Sequence, residues 1–134
     1  MGIFSSMARA TAKAIGLDVD YRERYQKAHP EDPECQMCRK QLHWGSKDYD
    51  DQVTIDHIWP QQLAVRFPIL AKPLSSLANL QPLCRSCNSQ KSDAIKAINF
   101  KQSLAAILRE IRSVLDDLGI RDNVRYDLER YMND

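Results

Sequence analysis

All four cysteines of this 134-residue chain fall into two Cys-x-x-Cys pairs, Cys35–Cys38 and Cys84–Cys87, with 45 residues between them. Two tight turns that each present two sulfurs make the donor set of a tetrahedral thiolate zinc site. Disulfides are the weaker reading, because they persist in oxidising compartments and no continuous apolar segment followed by small residues reads as a secretory signal. A thioredoxin-like redox centre would use one pair in a βαβ setting, not two matched pairs. The expectation is therefore a structural Zn2+ held by Cys35, Cys38, Cys84 and Cys87. Such an ion contributes folding free energy directly, which suits a chain whose β segments are short.

The residues around the thiols read as a small α+β protein. Met7 to Ala14 is alanine-rich and suits a helix stopped by Gly16. Asp20 is placed to cap a second helix from Tyr21 to Ala28, ended by His29-Pro30. Gln41–Trp44 and the β-branched run Gln52–Asp56 read as short strands, the second delivering Asp56 and His57 at its end. Ile58 to Ala78 is a long connection with a helical turn at Gln61–Arg66, and Leu80–Leu83 is the returning strand. Asp93 is placed to cap a long helix with Ile95, Ile98, Leu104, Ile107, Leu108, Ile111, Val114, Leu115 and Leu118 on one face, stopped at Gly119. Asp122 would start a last short helix carrying Val124, Leu128 and Tyr131. The apolar face of the long helix is most simply core, with a homodimer seam as the alternative to a monomer.

At this length residues 1–134 are expected to form one domain. It divides into N-terminal helices (1–33), a zinc core (34–93) and C-terminal helices (94–134). No apolar run approaches a membrane span, so a cytoplasmic, reducing setting is expected. The net charge of +1 says little on its own, but it is unevenly spread. From Glu34 to Lys101 nine Lys/Arg face six acids, and from Gln102 onward five face seven. Any polyanion would be met near the cysteines, through a few contacts.

Of the three histidines, His29 and His43 sit in polar surroundings, and only His57 has chemically suggestive neighbours. Asp56 offers a hard oxygen to Mg2+, Mn2+ or a similar cation, and Asn88, directly after the second knuckle, offers a carbonyl oxygen. If the zinc holds that knuckle against the strand, Asp56 and Asn88 can meet at one cation while His57 takes a proton from water. That is the chemistry of phosphodiester hydrolysis.

The order Asp56-His57-Ile58-x-Pro60, then Asn79-Leu80-Gln81-x-Leu83-Cys84-x-x-Cys87-Asn88-x-x-Lys91, resembles the HNH endonuclease family of the ββα-metal superfamily. The resemblance is to the branch with four zinc cysteines, and it covers about Cys35 to Asp93. It implies a zinc-stapled ββα-metal core, treble-clef-like, with N- and C-terminal helices packed around it. It implies DNA as partner, with His57 as general base and Asn79 grouped with it through hydrogen bonds to the loop that carries the base. Asp56 and Asn88 would bind the catalytic divalent metal, Mg2+ or Mn2+, with Zn2+ or Ni2+ as further options. The family's final letter is often His, and Asn88 stands there instead, which bears on metal choice and activity. Arg85 and Lys91 are the candidates for the phosphate backbone, or else solvated helix residues. A bacterial or phage-infected cell would suit such a chain. The competing readings are a non-catalytic zinc module gripping nucleic acid or protein, and a partner-binding protein working through the long helix.

Overall fold

The computed structural model describes residues 20–133; the helix expected from Met7 to Ala14 lies outside them. The described chain holds helix α1 (Tyr21–Ala28), strand β1 (Thr54–His57), the short helices α2 (Leu63–Arg66) and α3 (Ala71–Leu74), strand β2 (Leu80–Leu83), and helices α4 (Arg85–Lys96), α5 (Leu104–Asp117) and α6 (Arg125–Glu129). Single 3-10 turns at Pro68–Leu70 and Leu77–Asn79 complete the connection between the strands. It is a mixed architecture with one small sheet. No described helix is long and apolar enough to cross a membrane.

β1 and β2 pair antiparallel in the register Thr54–Leu83, Ile55–Pro82, Asp56–Gln81 and His57–Leu80. Pro82 has no N–H to give, but its carbonyl accepts from Gln36 N at 3.0 Å, so the outer edge of β2 is tied to the first knuckle. α4 follows β2 directly and packs on both strands. The expected Gln41–Trp44 strand forms only isolated bridges, Glu34 to Gln41 and His43 to Gln52. The first bridge is antiparallel and the second parallel, and each encloses turns of the chain and not a paired strand. Arg39 closes the first of these turns at φ 67°, in the left-handed region.

The buried residues form two clusters. One gathers Cys35, Leu42, Val53, Ile55, Leu80, Leu83, Cys84 and Cys87 around the sheet. The other gathers Trp59, Leu63, Leu70 and Leu74 from the connection with Ile107, Leu108, Ile111 and Leu115 of α5 and Val124 and Leu128 of the C-terminal segment. Met37 packs against both.

The apolar face read as one long helix from Asp93 is divided between α4 and α5. Asn99 Oδ1 accepts from Lys101 N at 2.9 Å, an Asx turn that competes with helical hydrogen bonding, and Ser103 Oγ then caps α5 by accepting from Ala106 N at 3.2 Å. The far end of α5 matches the expectation at Gly119. With φ 69°, Gly119 takes the left-handed position that lets its N–H reach Asp116 O and lets Ile120 N reach Leu115 O, while Ile120 folds into the core.

Candidate functional site

The four cysteine sulfurs lie within 4.8 Å of one another, and none is in a disulfide. Cys38 Sγ and Cys84 Sγ are 3.9 Å apart. Four thiolates at about 2.3 Å from one tetrahedral zinc would sit about 3.8 Å from each other, so the donor set fits this ion in chemistry and in spacing. The second knuckle is built into the start of α4. Cys84 is its N-cap, and Cys84 Sγ accepts from Cys87 N at 3.4 Å.

Burial alone would raise the Cys35 thiol. N–H groups of Cys84, Cys38 and Met37 point at its sulfur, however, and bring it down to about 7. Cys84 and Cys87 are pushed up, first by burial, and for Cys87 next by hydrogen bonding to the neighbouring sulfurs. Four sulfurs this close do not all ionise without a cation among them, and a bound metal would supply it.

Along β1 and α4 runs a groove of about 990 Å3 bordered by Asp56, His57, Arg85, Asn88 and Lys91. The strand pleat sets the arrangement. Thr54 and Asp56 are half-buried on one face of β1, and Ile55 and His57 are buried on the other. Asn88, one turn into α4, donates from Nδ2 to Thr54 Oγ1 at 3.2 Å, which places it on the face that carries Asp56. With Nδ2 so engaged, Asn88 Oδ1 is the atom left for a ligand.

Asp56 is held from two directions at the same oxygen. Gln81, its register partner on β2, donates from Nε2 to Oδ2 at 2.9 Å, and Lys91 Nζ is 2.9 Å from the same atom. Oδ1 is the oxygen that remains for a cation. One carboxylate oxygen and one amide oxygen suit Mg2+ or Mn2+, which fill their remaining positions with water and phosphate.

His57 is 9% exposed, and Tyr21 of α1 meets its ring edge-on, with centroids 4.6 Å apart. Burial drives its pKa down to about 4, outweighing the opposite pull of the Asp56 carboxylate, so the ring is neutral at physiological pH. A neutral imidazole is the form a general base needs.

Asn79 lies behind the groove, with no exposed surface. Its Oδ1 accepts from Trp59 N, and its Nδ2 donates to the carbonyls of Trp59 and Leu74, all at 2.9 Å. Its own carbonyl accepts from Ile58 N at 2.7 Å. The turn that leaves β1 just after His57 is thereby clamped to the start of β2.

The structure corrects one placement. Lys91 is 3% exposed, which sets aside the reading of a solvated helix residue. It points inward from α4, and its ammonium bridges the Asp56 carboxylate and the His57 carbonyl, the latter at 3.0 Å. Arg85 stays at the groove's edge, donating to Gln52 Oε1 at 3.1 Å with its guanidinium over the Tyr49 ring. Gln81 stands in the sequence pattern without an assigned role, and the signal that gives it one is the strand register with Asp56. His43, away from the groove, pairs with Asp32 at 3.0 Å.

Residues 35–94 match the family model described as HNH endonuclease, whereas no curated protein and no solved structure matches the chain. Domains of this family generally bind DNA, and an HNH domain with a metal site points to a nuclease or a nucleic-acid-binding function. Residues 35–94 thus carry an HNH endonuclease family match, and the four clustered cysteines fit that family's zinc-binding branch.

Proposed function

We propose that the chain is a metal-dependent endonuclease that hydrolyses DNA phosphodiester bonds, with β1, β2 and α4 as a ββα-metal unit stapled by zinc. The observation that carries this reading is the shared groove. Asp56, Asn88 and His57 all border one opening, with the His57 ring neutral and turned by the pleat to the opposite face of β1 from Asp56. Asp56 Oδ1 and Asn88 Oδ1 would hold the divalent cation, which when bound supplies Lewis-acid stabilisation to a phosphate oxygen and to the leaving oxygen. His57 accepts a proton from water, that water attacks phosphorus, and the bond to the 3′ oxygen breaks, the 3′ oxygen taking a proton from solvent water to leave 5′-phosphate and 3′-hydroxyl ends. Asn79 keeps the turn after His57 in place, Lys91 and Gln81 orient the Asp56 carboxylate, and Arg85 at the rim meets the backbone phosphates.

One observation favours the alternative of a non-catalytic zinc module: the Lys91 ammonium already neutralises Asp56. The two readings separate in one assay. Zinc-loaded protein is incubated with supercoiled, linear and single-stranded DNA across Mg2+, Mn2+, Ni2+ and Zn2+. The nuclease reading expects metal-dependent nicking that His57→Ala abolishes with zinc content and melting temperature retained. Salt-sensitive DNA binding without cleavage under any of the four metals would establish the binding module instead.

A further inference from the structure

Four residues beyond His57, Gln61 places a carboxamide in the wall of the groove. Its side chain is 1% exposed, and neither Nε2 nor Oε1 has a hydrogen-bond partner. Leaving a buried amide unsatisfied costs about 1–3 kcal/mol per polar group, and folded proteins rarely tolerate it without a reason. The backbone at this position is fixed. Pro60 precedes it, Ala64 N bonds to Gln61 O at 3.0 Å, Leu63 N bonds to Pro60 O at 3.2 Å, and Trp59 and Leu63 anchor the turn in the core. A rigid turn thus presents one donor and one acceptor, both unmet, on the same groove as His57, Asp56 and Asn88.

We propose that Gln61 is a substrate contact in this groove, donating from Nε2 to a non-bridging oxygen of the scissile phosphate and accepting at Oε1 from the attacking water. The proposal rests on the nuclease reading. The ligand's chemistry follows from the amide itself. A bare cation would satisfy only Oε1 and an apolar ligand neither atom, whereas a hydrated phosphodiester offers an acceptor and a donor together. Such a contact holds water and phosphorus in register without transferring a proton, so it acts on turnover more than on DNA affinity, which the backbone contacts dominate.

The test compares Gln61→Leu with the wild-type protein for nicking rate, DNA affinity, zinc content and melting temperature. Leucine has nearly the same bulk and removes the unsatisfied groups. The expected result is a melting temperature at or above that of wild type, unchanged DNA affinity and a nicking rate at least about tenfold lower. Equal or faster nicking by the stabilised variant would overturn the proposal while leaving the nuclease reading intact. If Gln61→Leu fails to fold, Gln61→Met, which keeps the unbranched shape, answers the same question with the same two outcomes. A wild-type protein that nicks no DNA under any metal would overturn both.

Discussion

Substituting Lys91 by methionine isolates the least expected interaction of the site. The ammonium is 3% exposed and 2.9 Å from Asp56 Oδ2, and it also donates to the His57 carbonyl at 3.0 Å. Methionine keeps much of the stem's packing and removes the charge, leaving a carboxylate that is 15% exposed and retains Gln81 as a donor. Removing one partner of a buried ion pair costs about 3–5 kcal/mol. The remaining Gln81 bond and the partial exposure of Asp56 favour the lower end, about 3 kcal/mol. For a chain of this size that is a fall in melting temperature of about 10 °C. The assay is thermal unfolding of zinc-loaded protein by circular dichroism, alongside Asp56→Asn and the double variant Asp56→Asn/Lys91→Met. In the double variant no charge is left unpaired, and about 2 kcal/mol of the loss is expected to return as a coupling energy. Mg2+ or Mn2+ should also stabilise Lys91→Met more than wild type, since Asp56 then lacks its protein counter-charge. A Lys91→Met protein that melts within about 2 °C of wild type, or a double variant whose losses simply add, would refute the assignment of Lys91 as the structural partner of Asp56.

Two further outcomes follow from the thiol cluster and the histidines. Metal analysis of protein purified without chelator should find zinc bound at the cysteines; Cys84→Ala should lose it, and excess chelator should abolish the cooperative thermal transition. In an NMR pH titration without added divalent cation, His43 should titrate above its ordinary value of about 6.5, chiefly through its hydrogen bond to Asp32, and fall back in Asp32→Asn. The stability from that pair is full below about pH 6.5 and disappears as the pH rises through the folded value. His57 should stay neutral until about pH 4; the stability it contributes is complete above about pH 6.5 and is lost as the pH falls through about 4. A His57 that protonates near 6.5 would contradict its burial against Tyr21.

What could be read from the residues was whatever depends on spacing along the chain. Two matched thiol pairs specify one cluster whatever path joins them, and the β-branched run before Asp56 does form a strand, shifted to Thr54–His57. The helix Tyr21–Ala28 stands where expected, although Asp20 makes no side-chain cap hydrogen bond to it, and the stop at Gly119 rests on local backbone geometry. Other features were invisible because they depend on what lies across the fold. Lys91 reads as a surface residue until α4 turns it toward Asp56, and Gln81 acquires its role only through the register of β2 against β1. The division of the apolar face at Ala97–Ser103 turned on Asn99 and Ser103, whose side chains form local bonds that a count of apolar positions passes over. Gln61, polar in a polar-looking turn, gave no sign of being buried.

Met37, inside the first thiol knuckle, touches both apolar clusters. It couples the sulfur-bound half of the molecule to the helical half as a shared gear couples two shafts. Loss of an ion at the knuckle would remove a wall from the helical core as well, so the two halves are expected to melt together and not in sequence. An oxidant that converts Met37 to its sulfoxide would insert a polar group at that junction and loosen both sides at once.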